Sequence, residues 1–130
     1  MSHLVKMKSS VKVTDLNLLE ESCKKMGLVL HKEKKVATYY AGNTTKCDAV
    51  ISCPGSTYEI ALNRQADGSY EMQADLFDGK LKTKVGADCG LLYQRYKAEE
   101  VSELARLENW SVTEQYNPET QVLELVLDRP

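Results

Sequence analysis

Apolar and polar residues alternate on both sides of Ala66-Asp67-Gly68. Tyr58, Ile60 and Leu62 share one phase before this tripeptide, and Tyr70, Met72 and Ala74 share it afterwards. Alternation with period two marks half-buried strands. Asp-Gly between two such runs supplies the positive φ angles that suit the twist of a hairpin. The centre of the chain is therefore antiparallel β-structure, with its register set by a tight turn. A slip of one residue would turn Tyr58, Ile60 and Leu62 outward together.

Further β-branched and aromatic runs extend this reading. Leu28–His31, Val36–Tyr40, Thr44–Ser52, Thr57–Asn63 and Ser69–Phe77 are expected strands. Gly42-Asn43 and Pro54-Gly55 punctuate them, and Asp78-Gly79 ends the meander. Leu4 to Val13 alternates too, with Val5, Met7, Val11 and Val13 expected on one buried face. Trp110–Tyr116 and Gln121–Asp128 form a last hairpin around Asn117-Pro118.

Two helices interrupt the strands. Thr14-Asp15 offers an N-cap oxygen, and Leu16, Leu19, Cys23 and Met26 follow at helical spacing. Glu20–Lys24 and Glu21–Lys25 are expected outer i,i+4 pairs, and Gly27 closes the helix through a left-handed C-terminal residue. Asp88 is the expected cap of a second helix running to about Asn109. On its wheel Leu92, Tyr93, Tyr96, Val101, Leu104 and Leu107 share an arc that also takes in Glu100. The order predicts an α+β domain over residues 1–130: an antiparallel sheet of about six to eight strands with two helices packed on one face. Val50, Ile60, Leu62, Met72, Leu104 and Leu125 are its expected core.

Composition narrows the function. With 17 basic and 19 acidic residues the net charge is −2. The densest basic cluster, Lys32, Lys34 and Lys35, is interrupted by Glu33, a poor basis for neutralising nucleic-acid phosphates. No apolar run reaches the roughly 20 residues of a membrane helix, and no apolar leader opens the chain; the expected setting is cytoplasmic. In that setting Cys23, Cys47, Cys53 and Cys89 are free thiols. They form no Cys-x-x-Cys pair and have only His3 and His31 for company, so neither a structural metal nor a cofactor is expected.

Chemistry-bearing motifs are sparse. Gly86-Ala-Asp-Cys-Gly90 precedes a helix but lacks the Lys-Ser/Thr of a phosphate loop. Cys53, on a predicted loop, would need His3 or His31 as a base to become a nucleophile. Asp75 with Asp78, Glu71 with Asp75 and Glu99 with Glu100 are carboxylate pairs whose convergence a sequence does not reveal. The aromatic set is skewed, with seven tyrosines against one phenylalanine. Tyr39-Tyr40 in a strand would point one ring to each face. Rings with polar tips suit both protein interfaces and ligand pockets.

Several short motifs together carry a family resemblance. They are Met1-Ser2-His3, the Leu-rich helix ending at Gly27, Cys47-Asp48-Ala49-Val50-Ile51, Tyr58-Glu59-Ile60, Asp67-Gly68-Ser69-Tyr70-Glu71, Ala74-Asp75 and Leu92-Tyr93-Gln94-Arg95-Tyr96. Nearly the whole chain resembles an uncharacterised family that includes a conserved Ycf open reading frame of cyanobacteria and algal plastids, with relatives in other bacteria and in phages. The family pattern has phenylalanine where this chain has Leu4, and often tryptophan where it has Leu76, as in a divergent or phage member. Some family members are encoded beside MoxR-type AAA+ ATPases. The resemblance implies a cytosolic setting and no catalytic residue.

The leading expectation is a non-enzymatic binding or adaptor domain acting on a protein partner, an AAA+ ATPase assembly or a second copy of the chain. The alternative is a small-ligand, nucleotide-like sponge or sensor, with Tyr39, Tyr40, Arg64 and Arg95 as contacts, since guanidinium groups and rings together suit phosphorylated aromatic ligands. A second alternative is a hydrolase using Cys53 or the carboxylates.

Overall fold

A computed structural model describes residues 4–130. The opening Met1-Ser2-His3, and with it His3 as a partner for Cys53, lies outside the described residues. Among the described residues nine strands and three α-helices follow one another as β1 (Val5–Lys6), α1 (Leu16–Lys25), β2 (Val29–His31), β3 (Val36–Thr38), β4 (Thr44–Lys46), β5 (Ala49–Ser52), β6 (Glu59–Arg64), β7 (Tyr70–Ala74), α2 (Gly79–Val85), α3 (Gly90–Leu107), β8 (Ser111–Asn117) and β9 (Val122–Asp128). The α+β class and its antiparallel pairing are as expected. The strands divide among three sheets: a five-stranded one in the order β1-β7-β6-β5-β2, and the separate hairpins β3-β4 and β8-β9.

The central hairpin has the predicted phase. Leu62 sits opposite Met72 and Arg64 opposite Tyr70. Gln65 and Ser69 close the loop, and Gly68 alone takes a left-handed φ, of 86°. This is a three-residue loop with one left-handed residue, one longer than the two-residue Asp-Gly turn. Ile60, Leu62, Met72 and Ala74 enter the principal core with Leu19, Cys23, Leu92 and Tyr96, and half-buried Tyr58 packs against it.

Strand β6 is buried on both faces. Ala61 and Val50 look away from the helices and pack with Ala37 of the β3-β4 hairpin. Buried Glu59 ties that hairpin down, accepting from Lys34 Nζ at 2.8 Å and from Thr38 N at 2.9 Å. The expected single strand Thr44–Ser52 is two strands in different sheets. The chain crosses between them at Cys47-Asp48, where Asp48 N donates to Leu62 O and Asp48 Oδ2 accepts from Arg64 N.

Helix α1 has the predicted ends. Asp15 Oδ1 accepts from Asn17 N and Leu18 N. At the other end Leu28 N reaches back to Cys23 O at 2.8 Å across left-handed Gly27, a Schellman closure. The expected i,i+4 pairs do not form: Glu20 meets Lys32, Glu21 meets Lys24 at i,i+3, and Lys25 turns to Glu99.

Four further expectations are corrected. Regular strand before α1 is confined to Val5–Lys6, followed by a bond from Met7 N to Met72 O and a single bridge at Val13, and Val5 faces solvent. Tyr39 and Tyr40 lie beyond β3, in the turn, so strand alternation does not govern their rings. Asp88 does not cap α3: it and Cys89 both take left-handed backbone, and Asp78 instead caps the short additional helix α2. Leu104 is 59% exposed, and Leu125 is only half-buried. The buried side of α3 rotates along its length, from Leu92, Tyr93 and Tyr96 on the sheet to Ala98 and Ala105 on another flank. A wheel that assumes one continuous face assigns Leu104 and Leu107 wrongly inward. Among the described residues no helix is long and apolar enough to cross a membrane.

Candidate functional site

The end of α1, helix α2, the first half of α3 and the β8-β9 hairpin enclose an open cleft of about 510 Å³. Lys25, Lys80, Lys84 and Arg95 line it, and no carboxylate does, in a chain whose acids outnumber its bases. Met26, Leu91, Leu123 and the Tyr116 ring supply its apolar surface.

Local structure fixes the cations. Lys80 and Lys84 stand one turn apart on α2, which starts where Asp78 Oδ1 accepts from Lys80 N. The turn from α2 into α3 is close: a Cβ on Gly86, whose φ is 79°, would lie 2.9 Å from Leu91 Cγ. Glycine is therefore required where the two helices meet the cleft. Arg95 Nη1 donates to Glu114 at 2.8 Å and to Glu99 at 3.4 Å, and Lys25 Nζ meets Glu99 at 2.7 Å. Glu99, buried to 9% exposure, is thus paired from two elements. Glu100, the acid on the predicted arc, is half-buried and pairs with Lys97. Lys80 Nζ rests on the neutral carbonyl of Gly55 at 3.1 Å. Lys84 has no hydrogen-bond or ion-pair partner among the described residues.

Of the four residues read from sequence as ligand contacts, Arg95 alone lines this cleft. Half-buried Tyr39 closes the β3-β4 turn through its backbone, and exposed Tyr40 meets Phe77 edge-on, with centroids 6.3 Å apart. Arg64 is exposed at the end of β6. Lys25, Lys80, Lys84 and Tyr116 were not read as site residues. The signal for two of them, an i,i+4 pair in Gly79-Lys-Leu-Lys-Thr-Lys-Val85, lies in a segment where Asp78-Gly79 reads as a turn.

The hairpin has its own contact with α3. Gln94 Oε1 accepts from Leu123 N at 3.2 Å, and Gln94 Nε2 donates to Gln121 O at 3.0 Å. One side-chain amide thereby occupies the edge of β9 as a neighbouring strand would. Because the Leu123 N–H points away from β8, those of Leu125 and Leu127 do as well. Neither has a hydrogen-bond partner among the described residues.

The thiols and acids are dispersed. Burial pushes the Cys23 and Cys89 thiols up to about 12, and raises that of half-buried Cys47. Cys53 Sγ lies 3.8 Å from Pro54 O, while the His31 ring meets Ser52 Oγ at 2.9 Å. Asp75 Oδ1 accepts from Phe77 N, and its buried Oδ2 has no partner among the described residues. The Ser56 hydroxyl donates to Asp78 Oδ2 and, as the largest cause, lowers the pKa of that carboxyl.

The sequence model of a family described as "Protein of unknown function (DUF1257)" matches residues 22–126. No curated protein and no solved structure matches the chain.

Proposed function

The chain belongs to this DUF1257 family of proteins of unknown function, and from that footing we propose that it is a non-enzymatic binding domain whose partner is a protein. The supporting observation is the outer edge of β9. Gln94 closes its first half, and the main-chain groups of Leu125 and Leu127 remain open. Exposed strand edges are ordinarily blunted by charge, proline or a covering element, because they recruit further strands. Here Val126 and Leu127, 40% and 39% exposed, accompany the open stretch, and Leu104 and Leu107 are exposed within the last turn of the helix leading to β8. Backbone hydrogen bonds with apolar side chains beside them are what strand addition uses: the first give affinity and the second specificity.

The partner in this reading supplies an extended, apolar-rich segment. The resemblance to a family with members encoded beside MoxR-type AAA+ ATPases makes such an ATPase the first partner to try. A second copy of the chain is the other occupant of the same edge.

Leu127→Pro tests the edge directly. It removes the outward N–H, while the bonds to β8 are made by the alternate residues Val126 and Asp128. The immobilised wild-type chain is expected to retain a discrete protein, or to form a concentration-dependent dimer, that the equally stable variant does not. Identical retention by both chains, or none by either at physiological salt, would refute the reading.

A further inference from the structure

We infer that the cleft between α2, α3 and the β8-β9 hairpin binds a nucleoside phosphate, with the phosphate between Lys80, Lys84 and Arg95 and the base against Tyr116. The cleft meets β9 only at Leu123, which Gln94 already closes, and not at the open stretch of Leu125 and Leu127, so this inference stands apart from the protein-partner reading.

Charge is the first support. Glu99 and Glu114 partly offset Lys25 and Arg95, so the four cations and these two acids leave the cleft positive. The uncompensated charge sits on α2. Lys84 is unpaired and Lys80 is held only by a carbonyl oxygen. Arg95 is oriented by its carboxylates through one nitrogen, Nη1. Its remaining N–H donors keep the planar fork that matches phosphate oxygens. A single anion bridging these groups would form charge-assisted hydrogen bonds, the stronger kind.

Size and the apolar wall supply the second support. A volume of about 510 Å³ falls within the roughly 300–1,000 Å³ typical of small-molecule sites. Inorganic phosphate would leave most of it empty. Tyr116 is 53% exposed at the cleft, with Met26, Leu91 and Leu123 lining the same space. An exposed ring flanked by aliphatic side chains is a stacking platform for a flat heterocycle. Cationic and apolar surfaces in one cleft therefore select a ligand that has an anionic part and an apolar part.

Titration calorimetry of the full chain with ADP, adenosine and inorganic phosphate, at about 0.15 M salt, tests this. ADP is expected to bind saturably and at least about tenfold more tightly than either fragment. Lys84→Glu should weaken ADP by about tenfold or more, and Tyr116→Ala should weaken ADP while leaving the phosphate response unchanged. Lys46→Glu, on the exposed β4 strand, should leave ADP binding intact. Lys84 is exposed and unpaired, so its variant should keep the wild-type unfolding midpoint. Absence of saturable ADP binding would overturn the inference, as would ADP binding unchanged by Lys84→Glu. Phosphate binding as tightly as ADP would overturn its nucleoside part.

Discussion

The buried Tyr96 hydroxyl oxygen accepts a hydrogen bond from the backbone N–H of Thr14 at 3.1 Å, across 82 positions of sequence. It accepts a second from Asp15 N at the same distance. The oxygen thus pairs two amides at the entry to α1, while the Asp15 side chain pairs those of Asn17 and Leu18. Tyr96→Phe keeps the ring and its packing but leaves both amides unpaired. A loss of roughly 1–3 kcal/mol in urea unfolding is expected, with faster hydrogen exchange at Thr14 and Asp15.

The sheet register predicts contrasting responses to truncation. Ile60, opposite Ile51 in the sheet register, is fully buried in the principal core, so Ile60→Ala should cost roughly 2–5 kcal/mol through lost burial and a residual cavity. Leu104→Ala, on the exposed flank of α3, should change stability within about 0.5 kcal/mol. Equal unfolding midpoints for the two variants would mean that the faces of β6 and α3 are misassigned.

Glu59 links the β3-β4 hairpin to the main sheet, and its removal should act locally. Glu59→Ala leaves Thr38 N without its acceptor and should cost about 1–3 kcal/mol. Amide exchange should accelerate at Thr38 and across β3-β4 before the five-stranded sheet responds.

Burial predicts the order of thiol reactivity. Cys23 and Cys89, raised to about 12, should resist alkylation at pH 8 until denaturant is added, while half-buried Cys47 reacts in the folded protein. These two thiols bind protons more tightly when folded than when unfolded. Their contribution to stability is therefore complete below the ordinary thiol value of 9.0 and is lost as pH climbs towards about 12. Unfolding at successive pH values above 9.0 should show that decline.

Features governed by neighbours in sequence were legible before the structure. Asp15 and Gly27 bound α1 as their side-chain and backbone chemistry requires, and the alternation around Asp67-Gly68 sets the register of β6 and β7. Features governed by distant packing were not. The break at Cys47-Asp48 depends on hydrogen bonds to Leu62 and Arg64, and the reversal at Gly86 removes Asp88 from the cap of α3. The cleft was legible only at Arg95. Its other cations come from the end of α1 and from α2, separated in sequence by strands β2 to β7.

The most direct test of the partner-binding reading is photo-crosslinking in cells at position 126, beside the open stretch of β9. With benzoylphenylalanine replacing Val126, irradiation should yield one discrete adduct of the chain with another protein or with itself. The same probe replacing Lys46 on β4 should not yield it. No adduct at 126, or the same adduct from both positions, would contradict a partner seated on the C-terminal hairpin.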